Sequence, residues 1–414
     1  MHLRVAFVLA AWSIASFGAD APAKVERRKP LTANVGVVSV GLDTYWKQCP
    51  GLYEDMLKKA AVFEKRIAEH QVKVSSFGIS DNPQKAASLI PAMKAADLDL
   101  LFVDMVTYAT SSTFAPFVRE LKCPIVLVAL QPDSRLDYEH ATIYRQLYND
   151  DLCSVPEFTG VAIRYGRPVA DVIIGQLDEL ESKVGGGVGV GERNDSALEL
   201  QLGTRTSHAA AEEIRQWCAV AHVLHDLRRA RFGLMGHVLE AMYDMQVDPT
   251  AVSRTFGCHV ALCEPDEIMP YYRELGGSRS VATADGTKPV PPCAAEVDAM
   301  KKRILDFFDT PDPVSDPWTE KLTAHDLDVA AKAAVALEKF IDKRKLDGFA
   351  YYYEGEPGSQ TRELVTNFIV GNSLLTAAGF PMCGEFDLKN CVAMMIFDRL
   401  DIGGSFAEFH PIDF

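Results

Sequence analysis

The sequence is short of positive charge: 42 Lys and Arg stand against 57 Asp and Glu, a formal net charge of −15. Nucleic-acid binding draws on Lys and Arg neutralising phosphates, so a polyanion is not the partner this composition serves. It also lacks any C-x-x-C pair among its nine cysteines, at positions 49, 123, 153, 218, 258, 263, 293, 383 and 391. An odd number scattered through apolar contexts reads as buried thiols of a reducing compartment rather than a disulfide framework. Downstream of the N-terminus there is no apolar run of membrane-spanning length. The N-terminus itself points the other way. MHLR is followed by the apolar VAFVLAAWSIASF and then by small residues in SFGADAPAK, the pattern of a secretory signal. Residues 1–33 are therefore expected to be either a signal-like segment or an extension outside the fold, and the location cytoplasmic or exported accordingly.

At 414 residues and 48% hydrophobic, the chain can bury more than one core, because single cores stop growing at about 250 to 300 residues. From Asn34 onward short β-rich runs alternate with helical periodicity, the signature of βαβ units around a parallel sheet. NVGVVSVG, VKVSSF, LDLLFVD and PIVLVAL read as strands. LYEDMLKKAAVFEKRIAEH and PQKAASLIPAMKAAD read as helices, the second with a kink at Pro91. The expectation is an α/β protein of two Rossmann-like βαβ domains in series, at 34–165 and 166–385, with 386–414 as the start of a third, β-rich region. The stretch 184–208, with its GGGVGVG run, is foreign to its flanks and reads as a flexible insertion. It lacks the strand, helix and ribose-binding acid that a dinucleotide loop requires.

The most informative segment is the last, FPMCGEFDLKNCVAMMIFDRLDIGGSFAEFHPIDF. Glu385 and Glu408 each close an apolar run, and a carboxylate in such surroundings calls for a cation, a proton or a partner. The order of features (a CGEFD strand end, an apolar helix, a second Glu on the following SFAEFHPID strand) resembles the core of the L-arabinose and L-fucose isomerase family. IRQWCAVAHVLHDLRRARFGLMGHVLEAMYDM, DPTAVSRTFGCHV and LYNDDLCSVPEFTGVAIRYGRP extend the resemblance over most of 33–414.

That resemblance implies a metal-dependent aldose–ketose isomerase in which a divalent ion, Mn²⁺ first, polarises the sugar oxygens while carboxylates move a proton through a cis-enediol. Glu385 and Glu408 would be ligands and acid–base groups. His410, two residues beyond Glu408 and on the same strand face, is a third candidate ligand. Tyr45, Trp46 and Gln48 in GLDTYWKQCPG, with Glu157 in PEFTG, match positions where the family lines its sugar pocket. There that pocket is completed across a subunit boundary, which implies a homo-oligomer. His222 and His225, at i and i+3, share a helical face but have no third ligand nearby and read as structural. Family members continue beyond this point into a β-rich domain that supplies further histidine. A catalytically silent, truncated homologue is therefore a second reading, and two α/β domains in series behind a signal-like segment also fit an exported sugar-binding protein.

Overall fold

In the computed structural model the described residues are 31–177, 207–276, 294–310, 314 and 321–407. They fall into two units, divided between Asp226 and Leu227. The expected 184–208 insertion and signal-like segment lie essentially outside the described residues, as do Glu408 and His410.

The first unit opens with β1 (Asn34–Val40), followed by α1 (Asp43–Gln48), α2 (Leu52–Ala68) and β2 (Lys73–Ser80). α3 (Pro83–Ala95), β3 (Leu100–Met105), α4 (Ala115–Glu120), β4 (Ile125–Gln131), α5 (Ile143–Tyr148), α6 (Val155–Arg164), β5 (Asp171–Gln176) and α7 (Ser207–Arg229) complete it. The strands form one parallel sheet in the order β2-β1-β3-β4-β5. Alternation assigns each strand's side chains to two buried faces. Val38, Val40, Leu101, Val103 and Leu127 meet α3, α4 and α6, while Val35, Val37, Phe102 and Val126 meet Phe63 and Ile67 of α2 and Ile214 and Cys218 of α7. Each such apolar side chain contributes about 1.5 to 3 kcal/mol when fully buried. α3 begins where the Asn82 side chain accepts from the Lys85 N–H at 2.9 Å, and runs through Pro91 as one helix.

The first unit is longer than the sequence reading expects. β5 pairs with β4 from Val126↔Asp171 to Gln131↔Gln176, and α7 covers one face of the same sheet, so both belong to it. The boundary thus falls at 226/227 and not at 165/166. His222 and His225 lie on α7 and fix the start of β1: His222 Nδ1 contacts Leu31 O at 2.9 Å, and His225 Nδ1 contacts Asp99 Oδ2 at 2.7 Å, the oxygen that also accepts from the Asn34 N–H.

The second unit contains β6 (Arg231–Gly236), α8 (Pro249–Phe256), β7 (His259–Cys263), α9 (Pro265–Glu274), α10 (Ala294–Phe307) and α11 (Ala324–Arg344). β8 (Gly348–Tyr352), α12 (Gln360–Thr366), α13 (Phe368–Ala377), β9 (Met382–Cys383) and α14 (Leu388–Arg399) follow. Its sheet is parallel, in the order β7-β6-β8-β9. Phe349 and Met382 face a core built with α9, α10, α11 and α13. Cys383, one residue on and so on the other face, meets Met394 of α14 at 3.3 Å, and Cys391 Sγ donates to Pro381 O at 3.4 Å. α14 therefore closes the second unit, where the sequence reading expects residues from 386 to begin a third domain. Residues 402–407 form no strand, against the expected SFAEFHPID strand in its described part.

Candidate functional site

In open parallel sheets ligands bind beyond the carboxyl ends of the strands, where the strand order reverses. In the first unit that point lies between β1 and β3. Gly41 follows β1, and a Cβ placed there would come within 2.9 Å of the Trp46 ring, so glycine lets Trp46 fold back over the strand end. Trp46 is engaged twice more: its Nε1 donates to Asp81 Oδ2 at 2.9 Å and its ring meets Tyr53 edge-on at 5.3 Å. Trp46 and Tyr45 are both half-buried against the cluster of Leu52, Met56, Ile79, Val106 and Leu147. Gln48 is the exposed last residue of α1.

Tyr45 lies beside Tyr108 of the loop after β3, with ring centroids 6.3 Å apart. Burial pushes the Tyr45 phenol up, reinforced by Asp150, Tyr108 and Cys153. The Tyr108 phenol is raised by burial and then by Glu157, Cys153 and Asp150. Cys153 is raised the same way, by burial first and then by the two carboxylates, which disfavours its thiolate. Glu157, in the first turn of α6, accepts from the Ser111 N–H at 2.8 Å. The structure therefore joins Tyr45 and Glu157 to three residues that sequence reasoning missed: Tyr108, Asp150 and Cys153. Aromatic faces with adjacent carboxylates suit a hydroxyl-rich or cationic ligand. The signal for Tyr108 was present in principle, since it follows the strand beside β1, but strand order is not written in the sequence.

The second unit reverses its order between β6 and β8. Gly236 ends β6 at φ +88°, and a Cβ there would lie 1.7 Å from Tyr352 O, so the position demands glycine. The His237 N–H donates to that same oxygen at 3.1 Å, and the imidazole stands edge-on to the Tyr352 ring at 5.7 Å. Tyr352 donates its hydroxyl to Glu354 Oε1 at 2.9 Å. Its phenol is pushed up to about 12 by burial, by Glu354 and by Glu385, with Arg362 opposing.

Glu385 sits two residues past β9 at φ +54°, and Phe386 follows at +66°. Two successive left-handed non-glycine residues cost about 1 to 3 kcal/mol each. The reversal is held by the Phe386 N–H donating to Tyr351 O at 3.1 Å, and by Asp387, which caps α14 by accepting from the Asn390 N–H at 3.0 Å. Glu385 is thus presented half-buried on a fixed turn beside Tyr352.

A manganese site is a different matter. Among the described residues no group of three or more His, Cys, Asp or Glu side chains is placed to hold a metal ion. Glu385 is the only member of the predicted ligand set within them, so the described donors do not make up the expected site. A concavity of about 260 Å³ lined by Phe380, Pro381, Met394 and Ile402 lies at the amino end of β9, away from Glu385.

What the fold defines is a class: an α/β protein with two doubly wound parallel sheets. No family model and no curated protein matches the chain. Solved structures similar to it include a C2-type ketoreductase from a modular polyketide synthase, at 11% identity over 87% of this chain and 81% of that one, with a TM-score of 0.21. Another is GanP, a glucose-galactose binding protein from Geobacillus stearothermophilus, at 11% identity over 84% of this chain and 91% of that one, with a TM-score of 0.19. Likenesses this distant carry no functional argument. No helix among the described residues is long and apolar enough to cross a membrane.

Proposed function

We propose that the chain is an aldose–ketose isomerase of the L-arabinose and L-fucose isomerase type, with its chemistry at the carboxyl edge of the second sheet. The observation that carries the reading is the presentation of Glu385. A carboxylate on a strained, capped turn just past the edge strand β9, beside a partly buried tyrosine, is the kind of presentation that chemistry uses. A carboxylate so placed can take the proton from the carbon beside a sugar carbonyl and return it to the neighbouring carbon. The reading assigns Glu408 and His410 to the same centre and gives it a divalent cation, Mn²⁺ first, as Lewis acid. It also includes a homo-oligomer, after the resemblance on which it rests.

The second reading is a sugar-binding protein without catalysis, and the first unit favours it. Tyr45 and Tyr108 lie together beyond β1 and β3 with Asp150 and Glu157 near them, groups of the kind that recognise hydroxyls. The two readings separate in one experiment. The purified chain is incubated with L-arabinose, L-fucose and other aldoses, with and without Mn²⁺, and products are followed by proton NMR while binding is followed by calorimetry. Metal-dependent ketose formation supports the isomerase. Binding that is indifferent to metal, with no ketose, supports the binding protein.

A further inference from the structure

The first unit buries a charge network that neither reading uses. Lys59 of α2 is 3% exposed, and its ammonium donates to Val106 O at 2.7 Å, Tyr148 O at 3.0 Å and Asp151 Oδ1 at 2.6 Å. An ammonium has three protons, so its capacity is filled. Its acceptors belong to the two loops that line the crevice. Val106 follows β3 and leads to Tyr108; Tyr148 ends α5, and Asp151 lies in the turn that carries Asp150 and Cys153 and leads to Glu157.

The charges around this cation do not balance. Asp151 is 1% exposed, and its Oδ2 is buried without a hydrogen-bond partner. Asp104, 4% exposed on β3, accepts from Ser39 Oγ at 3.0 Å and also feels the Lys59 charge. The two carboxylates repel one another. Glu64 of α2 adds negative field at Asp104, Asp150 also feels Lys59, and the Tyr148 ring lies 5.5 Å from the ammonium. With both buried carboxylates ionised, one ammonium faces two negative charges in a site closed to water; with one proton added, the trio is neutral.

Burial raises both carboxyl groups, Asp104 to about 6. For Asp151 the 2.6 Å contact with Lys59 pulls the other way, toward the ionised form. Because the two carboxyls act on one another and each feels Lys59, their titration belongs to the trio and not to one carboxyl.

We propose that Lys59, Asp104 and Asp151 form a proton-dependent brace that positions residues 148–157: holding one proton, the trio clamps this segment to the end of β3, and losing it releases the segment with Asp150, Cys153 and Glu157. Asp104 is fixed in the middle of the sheet, so the group that moves is Asp151 on its turn. The sign is that of a carboxyl raised by folding: the contribution is present at low pH and is lost as pH rises through the folded value. Lys59 is a positioning residue, and the proposal holds whatever ligand the crevice takes.

Hydrogen exchange with peptide-resolved mass spectrometry on the full chain, corrected for intrinsic rates, tests this at about pH 5 and about pH 9. In the wild-type protein, peptides over 148–157 should lose protection by about tenfold or more between the two, the size of one pKa unit of linkage, while peptides of β1 and β3 hold theirs. Asp151→Asn keeps an acceptor for Lys59 without the second charge, so it should stay protected at both values. Lys59→Met should lose protection over 148–157 at both, with β6 and β8 peptides reporting that the second unit remains folded; if it does not fold, Asp151→Asn decides alone. Wild-type protection independent of pH, or Asp151→Asn with the wild-type pH dependence, would overturn the proposal.

Discussion

At the first unit's switch point the two lining loops are tied by side chains, whereas at the second unit's the tie is made by backbone. Lys59 joins the loop after β3 to the turn after α5 through a buried ammonium. Gly236 and His237 meet Tyr352 O directly, and Glu385 is aimed by two left-handed residues in succession. Both sheets set one βαβ unit to one side of the first strand and the next to the other, and both bring an aromatic pair to the crevice: Tyr45 with Tyr108, and His237 with Tyr352. The difference lies in what each arrangement can tolerate. A side-chain brace can respond to protonation and can be removed by one substitution. A backbone turn is indifferent to pH over most of the range and stores strain that only a rigid surrounding can hold.

The largest predicted effect is on the side-chain tie. Lys59→Met leaves two buried carboxylates with no cation and should destabilise the first unit by about 3 to 5 kcal/mol, read from chemical denaturation. Next comes the backbone tie. Gly236→Ala drives a methyl group into Tyr352 O at φ +88° and should cost the second unit about 3 kcal/mol, seen as lost exchange protection across β6 and β8. Comparable effects on the wrong units would break the distinction between the two ties.

Two smaller effects are expected at Trp46 and at Glu385. Trp46→Phe removes the hydrogen bond to Asp81 and should cost about 1 kcal/mol, with Tyr45 and Tyr108 left in place, measured by thermal melting. Glu385→Gly relieves one left-handed residue and should raise the second unit's stability by up to about 1 kcal/mol while removing the carboxylate that the proposed chemistry needs. A loss of stability there would mean that the turn is not strained. The pH responses should also diverge. Asp104, raised by folding from 3.8 to about 6, stabilises the first unit at low pH and ceases to as pH climbs through that value. Tyr352, raised from 10.0 to about 12, makes a contribution that fades only in strong alkali. Denaturation midpoints of the two units across this range would reveal whether only the first responds near neutrality.

Much of the architecture was legible because parallel strands buried on two faces read as continuous apolar runs: NVGVVSV, LLFVDM and IVLVALQ are such runs, and each forms a central strand. The assignment of β5 was not legible. DVIIGQ is as apolar as a strand of either unit, and only its register with β4 decides which sheet it joins. The end of the second unit was obscured for a related reason, since an apolar helix such as LKNCVAMMIFDR does not announce which sheet it covers. Glu385 stands out in the sequence by its position after an apolar strand, and the structure sets it two residues past β9; Tyr45 and Glu157 enter by resemblance alone, and the structure places both near Tyr108. The sequence does not say that Gly41 lets the Trp46 ring fold back over the end of β1. Lys59 could not be found at all, since a lysine inside LYEDMLKKAAVFEKRIA reads as solvated until the carbonyls of Val106 and Tyr148 are seen to meet it.

The role proposed for Glu385, proton transfer at a sugar carbon from its fixed turn, can be read at the transferred proton itself. Its most direct test is solvent deuterium exchange at C2 of L-arabinose and L-fucose in D₂O with Mn²⁺, comparing the wild-type chain with Glu385→Gln, which keeps the turn and the size of the side chain but cannot accept the proton. C2 exchange is expected in the wild type and its loss in the variant, with folding unchanged. Exchange at equal rates in both, or no exchange from the folded wild-type protein with any aldose offered, would contradict it.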